Sequence, residues 1–346
     1  MPEISAKRLL RIDLSKKKAQ EEEVPSEWLR DYIGGAGIGT KILWEEARDR
    51  KIDPLSPENK VILSTGPLTG TLWPFACTIT INAKSPLSGF YGESVVEGFF
   101  AAELRQAGYD FVVIEGRSQH PVLLFIGEEI KFVDAAPLWG LDNFSARRQI
   151  QKIAKDTEIK IASIGPAGEN LVKIAGIWVD FNRISICGGL GAVFGSKKLK
   201  AIAVRGRKRV PLFSASRFNE LALKKNRELD GNPLVRSFRK HGTPLFLSQL
   251  NRAHLLHAKN FQMDHFVYLD EIAGPALEKK FRFKDMACSS CPVGCDKYYL
   301  VQEGQFDRTW TSALEYEHLS ALGARCFIRS LPALLSIDSL CKAQGI

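Results

Sequence analysis

Three of the seven cysteines stand within eight residues of one another near the C-terminal end of the sequence, at Cys288, Cys291 and Cys295. The residues between them are small or turn-forming, and Pro292 and Gly294 disfavour a regular helix. Spacings of two and three residues allow one tight loop to direct several thiolates at a single centre, as zinc and iron–sulfur sites require. The run therefore predicts a metal or iron–sulfur site on a loop.

Three interpretations of this loop are open. An iron–sulfur cluster is favoured, although a cubane cluster normally takes four cysteines. A zinc ion also needs four ligands, and Asp296 or His318 could complete that set. The third interpretation is a group of buried cysteines that bind nothing. Cys326 and Cys341 lie downstream, but neither has a spacing that identifies it as a fourth ligand.

The rest of the chain has the composition of a globular protein. It has 346 residues, of which 45% are hydrophobic and 25% charged, and this length suggests about two domains. The N-terminus meets charged residues at once and no apolar run reaches membrane-spanning length, which argues against a secretory signal or a membrane protein. Seven cysteines without a paired framework are typical of a reducing cytoplasm.

The formal net charge of +9 raises the question of nucleic acid. The lysines and arginines are scattered and lack interleaved aromatic residues, so a solvated surface is favoured over a nucleic-acid site. Such a surface would also attract an anionic partner, such as a small acidic electron carrier.

Short echoes indicate an internal repeat. Residues 62–67 (Ile-Leu-Ser-Thr-Gly-Pro) recur as residues 161–166 (Ile-Ala-Ser-Ile-Gly-Pro), and residues 113–116 have a counterpart in residues 203–206. Two copies of one strand-rich unit would form a pseudo-twofold domain of about 200 residues.

The pattern Gly-Gly-x-Gly at Gly34 recurs at Gly188, which we take as a third echo. A glycine-rich turn before a helix can cradle a phosphate, and residues 40–50 after the first copy are expected to be helical. Because no strong strand precedes Gly34, a dinucleotide-binding fold is disfavoured.

Local patterns predict an α+β protein with a strand-rich domain over residues 1–210 and a mostly α-helical domain over residues 211–346. The alternation of apolar residues and the capping residues predict the following elements: an edge strand over residues 8–14, strands over 61–65, 77–83 and 111–116, a hairpin over 121–133, and helices over 99–107, 144–155, 214–229, 312–324 and 331–342.

A set of glycine-, proline- and cysteine-containing segments follows one order along the chain: residues 34–37, 66–70, 84–89, 107–110, 161–170, 188–197, 288–295, 315–317 and 321–324. Taken in this order, the segments resemble the tungsten-containing aldehyde:ferredoxin oxidoreductase family. The resemblance runs through essentially all 346 residues.

The resemblance implies a pair of β-sheets related by a pseudo-twofold, cradling tungsten (or molybdenum) held by two pterins, with Gly188 and Gly189 binding this cofactor. It implies that Cys288, Cys291 and Cys295, with one distant further cysteine, hold a [4Fe–4S] cluster. The implied reaction oxidises an aldehyde to a carboxylic acid and passes electrons through the cluster to ferredoxin, while the cofactor carries the redox chemistry.

The resemblance also assigns a proton-transfer role to Glu317, with Glu315 as the other candidate. Burial can raise the pKa of a carboxyl group toward neutrality, which suits general acid–base catalysis. A solvated helix carboxylate is the alternative interpretation of Glu317.

Several positions depart from the family pattern. Thr78 stands where the family usually offers an arginine that spans pterin and cluster, Cys187 replaces an arginine in the run over residues 186–189, and residues 95–98 introduce Glu97. Fewer guanidinium groups and an added carboxylate should weaken the binding of an anionic pterin. The subunit-bridging iron motif falls on Ser336 and Ser339, so we expect no such iron.

The sequence ends at Ile346, about where the family's second pterin-binding segment begins. We therefore expect the first half of such an enzyme, active only with a complementary C-terminal half and inactive alone. The expected partners are that half or a second copy in a homodimer. The alternative is a diverged, non-catalytic relative that acts as an electron-transfer or binding subunit. A shortened helical domain should expose apolar surface along residues 331–340.

Overall fold

The computed structural model describes residues 7–48, 51–180, 183–185 and 187–346. The chain divides into two compact units, Met1–Leu223 with Ala343–Ile346, and Lys224–Lys342. Among the described residues, no helix is both long enough and apolar enough to span a bilayer.

The first unit is built from two successive sets of strands and helices. The first set contains β1 (Arg8–Asp13), β2 (Lys18–Glu23), α1 (Ser26–Tyr32), α2 (Gly35–Ala47), β3 (Val61–Thr65), β4 (Ile79–Lys84), β5 (Tyr91–Val96), α3 (Phe100–Ala107) and β6 (Phe111–Glu115). The second set contains β7 (Val122–Ile126), β8 (Ile130–Asp134), α4 (Asn143–Ala154), β9 (Lys160–Ser163), α5 (Pro166–Glu169), β10 (Ile177–Val179), β11 (Arg183–Ser185), α6 (Leu190–Ser196) and β12 (Leu199–Val204).

The two sets form sheets of the same topology. One sheet has the order β2-β1-β6-β3-β4-β5, and the other has the equivalent order β8-β7-β12-β9-β10-β11. In each sheet the first and last strands of the set pair in parallel, β1 with β6 and β7 with β12, and the other neighbours are antiparallel. The predicted double sheet with an internal repeat is therefore confirmed.

Two of the three sequence echoes fall on equivalent elements, at β3 and β9 and at β6 and β12. The third is wrong. Gly34 precedes α2, whose equivalent in the second set is α4, whereas Gly188 precedes α6, the equivalent of α3. The helix expected over residues 40–50 begins at Gly35, so most of this glycine segment is helical rather than a free turn; its predicted end lies outside the described residues.

Alternating apolar residues place each sheet between two layers. On β6, Val112 and Ile114 belong to the core that the two sheets share, while Phe111 and Val113 pack beneath α1 and α2. The second sheet follows the same rule, with Ile202 of β12 in the shared core and its neighbouring residues under α4. Because both faces are covered, the central strands are largely apolar, although β3, β9 and β12 also carry buried polar residues. The predicted edge position of β1 is wrong, since β2 takes the edge.

The second unit combines helices with a small sheet that the sequence did not indicate. Helix α7 (Ala215–Asp230) leads into it, and its other elements are α8 (Pro233–His241), α9 (Phe246–Arg252), α10 (Leu269–Ile272), α11 (Gly274–Phe281), β13 (Arg282–Met286), β14 (Asp296–Leu300), β15 (Trp310–Ser312), α12 (Tyr316–His318), a π-helical segment (Leu319–Arg325) and α13 (Leu331–Gln344).

Two expectations for this unit need correction. The helix predicted over residues 312–324 is replaced by the end of β15, the single turn of α12 and the π-helical segment. The apolar surface expected along residues 331–340 is mostly buried, because Leu331, Leu334 and Leu335 lie in the core of the second unit. Of the leucines in this range, Leu340 is exposed.

Candidate functional site

The three clustered cysteines lie on the loop that closes the β13–β14 hairpin. The two strands are antiparallel and Met286 faces Asp296, so residues 287–295, here called the cysteine loop, connect them. Positive φ angles of 52° at Ser290 and 59° at Gly294 turn the backbone. All three cysteines are partly exposed. The loop is therefore short, sharply turned and open to solvent on one side.

Helix α8 supports the cysteine loop. Its Arg239 donates from Nη2 to the Pro292 carbonyl oxygen at 2.8 Å. The helix is followed by Gly242, which has a φ of +62°, and a Cβ there would stand 2.9 Å from the Cys295 carbonyl oxygen. A larger residue at this position would displace the loop, since real Cβ atoms do not approach so closely.

Lys297 places a buried ammonium group directly behind the cysteine loop. Its side chain is 1% exposed, and Nζ donates to the carbonyl oxygens of Arg239 at 2.7 Å and Gly294 at 3.1 Å. The Cys295 carbonyl oxygen lies 3.4 Å away. Burial lowers the pKa of Lys297, while Asp285 at 3.7 Å opposes this shift. A fixed positive charge here favours anionic sulfur ligands. Lys297 was not singled out from the sequence, because lysines are mostly surface residues.

The residues considered as zinc ligands have other surroundings. Asp296 is buried on β14. His318 Nδ1 lies 2.8 Å from Asp338 Oδ1, and Lys342 Nζ lies 2.8 Å from the other carboxylate oxygen. Burial alone would raise the pKa of Asp338, but Lys342 and His318 lower it to about 2. If His318 moved to bind a zinc ion, it would leave the buried carboxylate of Asp338. The negative charge of Asp338 would then be balanced by Lys342 without His318, which costs stability for a buried charge.

The two candidate carboxylates occupy different surroundings. Glu317 is exposed on α12, and partial desolvation together with the neighbouring Glu315 raises its pKa. Glu315 accepts a hydrogen bond from Thr243 Oγ1 at 3.3 Å. Glu315 also lines a small cleft that contains Cys295 and Lys297. Of the two carboxylates, Glu315 is therefore the one that shares a cleft with a cysteine of the loop.

The glycine pair before α6 lies in the first unit, where it allows close packing. Gly188 and Gly189 have φ angles of +74° and +67°, and a Cβ on Gly189 would stand 1.9 Å from the Lys173 carbonyl oxygen. The Ser85 hydroxyl donates to the Gly188 carbonyl oxygen at 2.7 Å. Contact within the protein thus explains why these positions lack side chains. Residue 186 of the same run lies outside the described residues.

A carboxylate that the sequence analysis did not single out caps α3. Asp180, in the turn after β10, accepts hydrogen bonds at Oδ2 from the amides of Phe99 at 2.5 Å and Phe100 at 2.8 Å. Burial raises the pKa of this carboxyl group. The first amides of α3 are therefore used within the protein. Cys187 is exposed beside the glycine pair.

Comparison with known proteins places this architecture in one class of oxidoreductases. The family model for the aldehyde ferredoxin oxidoreductase N-terminal domain matches residues 9–206, and the model for domains 2 and 3 of the same proteins matches residues 220–346. The chain belongs to the aldehyde ferredoxin oxidoreductase family, as the resemblance predicted.

Individual relatives agree. The chain is 38% identical over 342 residues to the tungsten-containing aldehyde ferredoxin oxidoreductase of Pyrococcus furiosus, covering 98% of this chain and 56% of the relative. It is 37% identical over 341 residues to the enzyme of the same name from Thermococcus kodakarensis, with the same coverage. The WOR-like subunit of the Pyrococcus furiosus aliphatic sulfonate oxidoreductase is 31% identical, covering 98% of this chain and 56% of that protein. The chain thus spans about half the length of these relatives.

A solved structure shares the fold. The chain superposes with a TM-score of 0.86 on the active-site complex BamBC of benzoyl coenzyme A reductase, covering 99% of this chain and 53% of that one at 24% identity. This similarity supports the α+β architecture described above.

Proposed function

We propose that this chain forms the cluster-binding part of an aldehyde:ferredoxin oxidoreductase, which oxidises aldehydes to carboxylic acids. The observation that carries the proposal is the cysteine loop, with three thiols on one hairpin turn and a buried lysine behind it, in a chain of this family. In this proposal Cys288, Cys291 and Cys295 would hold a [4Fe–4S] cluster, which would supply an electron path between a tungsten (or molybdenum) bis-pterin and ferredoxin.

The cysteine loop fits an iron–sulfur cluster. Cys288, Cys291 and Cys295 are partly exposed, so their sulfur atoms can reach a group that sits on the loop. The Lys297 ammonium group offsets the negative charge that thiolate ligands and sulfide bring, and such charges help to set cluster potentials. A further cysteine would complete the four thiolates of a cubane cluster.

The glycine pair could contact a pterin only through its main-chain atoms. The space in front of Gly189 is filled by protein backbone, so Gly188 and Gly189 would offer amide and carbonyl groups rather than an open cradle. The equivalent loops between β3 and β4 and between β9 and β10 expose apolar side chains, among them Leu72, Phe75 and Ile174. Exposed apolar groups of this kind mark surfaces that a ligand or partner covers.

In this proposal Glu317 moves the proton and the bound cofactor supplies the two-electron oxidation. The pKa of Glu317 is raised by partial desolvation and by the neighbouring Glu315, which is the direction that suits general acid–base catalysis. Glu315 is the alternative, because it lines the cleft beside Cys295. The net charge of +9 suits an acidic ferredoxin, and a complementary C-terminal half or a homodimer would supply further parts of the site.

Metal analysis of protein purified without air tests the cluster. We expect iron and acid-labile sulfide near about four each per chain, together with tungsten, and a brown chromophore that Cys291→Ser removes. Cys187→Ser, an exposed cysteine outside the loop, is the matched control and should keep its iron. An unchanged visible spectrum in Cys291→Ser, or zinc as the bound metal, would overturn the assignment.

A second candidate function is that of a non-catalytic electron-transfer or binding subunit. The similarity to a protein named as a subunit favours it, as do Thr78, Glu97 and Cys187 at positions where a pterin would lose stabilisation. Iron without tungsten, and no aldehyde-dependent reduction of a viologen dye, would support this alternative.

If turnover is found, Glu317→Gln separates the two carboxylate interpretations. We expect the rate to fall by about 10²–10⁴-fold, the usual contribution of a general acid or base. Glu303→Gln, at an exposed loop position, should leave the rate unchanged. An equal rate in Glu317→Gln would move the assignment to Glu315.

A further inference from the structure

Two histidines of the second unit contact one carboxylate. They lie outside the cysteine loop, more than 20 residues before it in the sequence. His254 Nδ1 lies 2.9 Å from one oxygen of Asp264, and His265 Nδ1 lies 2.7 Å from the other. The two imidazole rings are in edge contact, with centroids 5.4 Å apart. Among the residues that the structure describes, this trio brings its three metal-ligating atoms within 4.8 Å of one another.

The segment that carries the trio is held in shape independently of any metal. The Asn251 side chain accepts from the Phe266 amide at 2.7 Å and donates to the Phe266 carbonyl oxygen at 3.2 Å. Ala258 and Met263 exchange two backbone hydrogen bonds within the segment. Leu256, Ala258 and Phe266 are buried in the core of the second unit. The backbone on both sides of the histidines is therefore anchored before a ligand binds.

Two imidazole nitrogens and one carboxylate oxygen form a donor set that suits zinc and other first-row divalent ions. Hard cations such as Mg²⁺ and Ca²⁺ prefer oxygen ligands alone. Because His254 and Asp264 are exposed, water can fill the remaining coordination positions. His257 stands three residues after His254, but its ring packs against Phe261 with centroids 5.3 Å apart, so it does not belong to the trio.

We propose that His254, Asp264 and His265 form a binding site for a divalent transition-metal ion, with Zn²⁺ matching the donor set best. The ion would join residue 254 to residue 265 and so tie together the segment between α9 and α10. This site does not depend on the proposed redox function, since none of its residues takes part in the cysteine loop.

Calorimetric titration of Zn²⁺ into chelator-treated protein tests the site. The titration uses Cys291→Ser as the background, so that metal uptake by the intact cysteine loop does not obscure the result. We expect one Zn²⁺ to bind per chain. Asp264→Ala should weaken the affinity by at least about tenfold, because even groups that only orient a metal ligand cost about that much when they are removed. His257→Ala is the matched control and should bind as the background does. Equal affinity with and without Asp264, or equal loss in His257→Ala, would overturn the proposal.

Copper provides a second measurement that does not need the Asp264 variant to fold. The electron paramagnetic resonance spectrum of one equivalent of Cu²⁺ bound to the same background should show hyperfine coupling to two imidazole nitrogens. His254→Gln should reduce this to one nitrogen. A spectrum without nitrogen coupling in the background protein would contradict the proposed ligands.

Discussion

The glycine pair before α6 and the cysteine loop are both candidate cofactor sites, but their shapes have different physical origins. At Gly189 the backbone is fixed by close packing, because a Cβ would stand 1.9 Å from a carbonyl oxygen. In the cysteine loop the carbonyl oxygens of Gly294 and Cys295 accept hydrogen bonds from the buried ammonium group of Lys297. The first site depends on steric exclusion and the second on electrostatics.

This difference determines how each site responds to change. A sterically fixed turn tolerates changes of pH and salt but not an added methyl group, since backbone atoms cannot move aside cheaply. A loop held by a buried charge tolerates changes of side-chain size on its open face but not the loss of the charge, since its hydrogen-bond acceptors would remain buried. Mutations at the two sites should therefore give opposite patterns of sensitivity.

The largest effect is expected for Gly189→Ala. The added Cβ meets backbone at 1.9 Å and the residue must keep a φ of +67°, so we expect destabilisation above about 4 kcal/mol or failure to fold. Gly140→Ala is the matched control, because Gly140 has a φ of +86° with open space around it; there we expect only the left-handed backbone cost of about 1–2 kcal/mol. Urea unfolding measures both, and equal losses would contradict a steric origin.

Lys297→Met should give an intermediate effect. Methionine approximates the length of the lysine stem but removes the donor to the Arg239 and Gly294 carbonyl oxygens, at a cost of about 1–3 kcal/mol for buried acceptors left unsatisfied. We expect a lower midpoint of urea unfolding and a lower iron content per chain. Lys284→Met, at an exposed position on β13, should change neither quantity. If both variants behave alike, the buried charge does not organise the loop.

The buried carboxylate in the second unit should give an effect of similar size to Lys297→Met, but one that is seen only at acidic pH. The folded pKa of Asp338 is about 2, below its ordinary value of 3.8. Its contribution to stability is therefore complete above about pH 4 and is lost as the pH falls toward 2. The gap corresponds to about 2–3 kcal/mol. Urea unfolding between pH 2 and 5 measures this loss.

The control for the acid effect is the double variant Asp338→Asn with Lys342→Met, which removes both buried charges together. We expect it to lose this part of the acid sensitivity. If the dependence on pH is the same as in the unchanged chain, another group is responsible.

The sequence predicted those parts of the fold that repeat or that apolar periodicity marks. The echoes at β3 and β9 and at β6 and β12 fall on equivalent strands. Helix α3 ends at Ala107, as predicted, and the next residue, Gly108, has the left-handed conformation that terminates helices. The third echo failed because the two glycine copies precede helices that are not equivalent in the two sets. Both copies lie in closely packed places, where a Cβ on Gly37 would stand 2.4 Å from the Tyr32 carbonyl oxygen and one on Gly189 1.9 Å from the Lys173 carbonyl oxygen.

The small sheet around the cysteine loop could not be predicted in the same way. Strand β13 reads Arg-Phe-Lys-Asp-Met and is largely exposed, so it lacks the alternation that marks a half-buried strand. Three of the candidate ligands were visible from their spacing, but Lys297 was not, because its burial depends on carbonyl groups that only the folded hairpin brings together.

Each sheet of the first unit is assembled from a contiguous stretch of sequence, residues 8–115 for one and residues 122–204 for the other. The strand that closes each sheet, β6 or β12, is the last of its set to leave the ribosome, and it is inserted between strands made earlier. We therefore expect the nascent chain to complete the first sheet before the second sheet is synthesised. Until the second sheet has formed, the apolar face of the first sheet that it covers remains exposed. During that interval the incomplete first unit exposes the kind of apolar surface that chaperones bind.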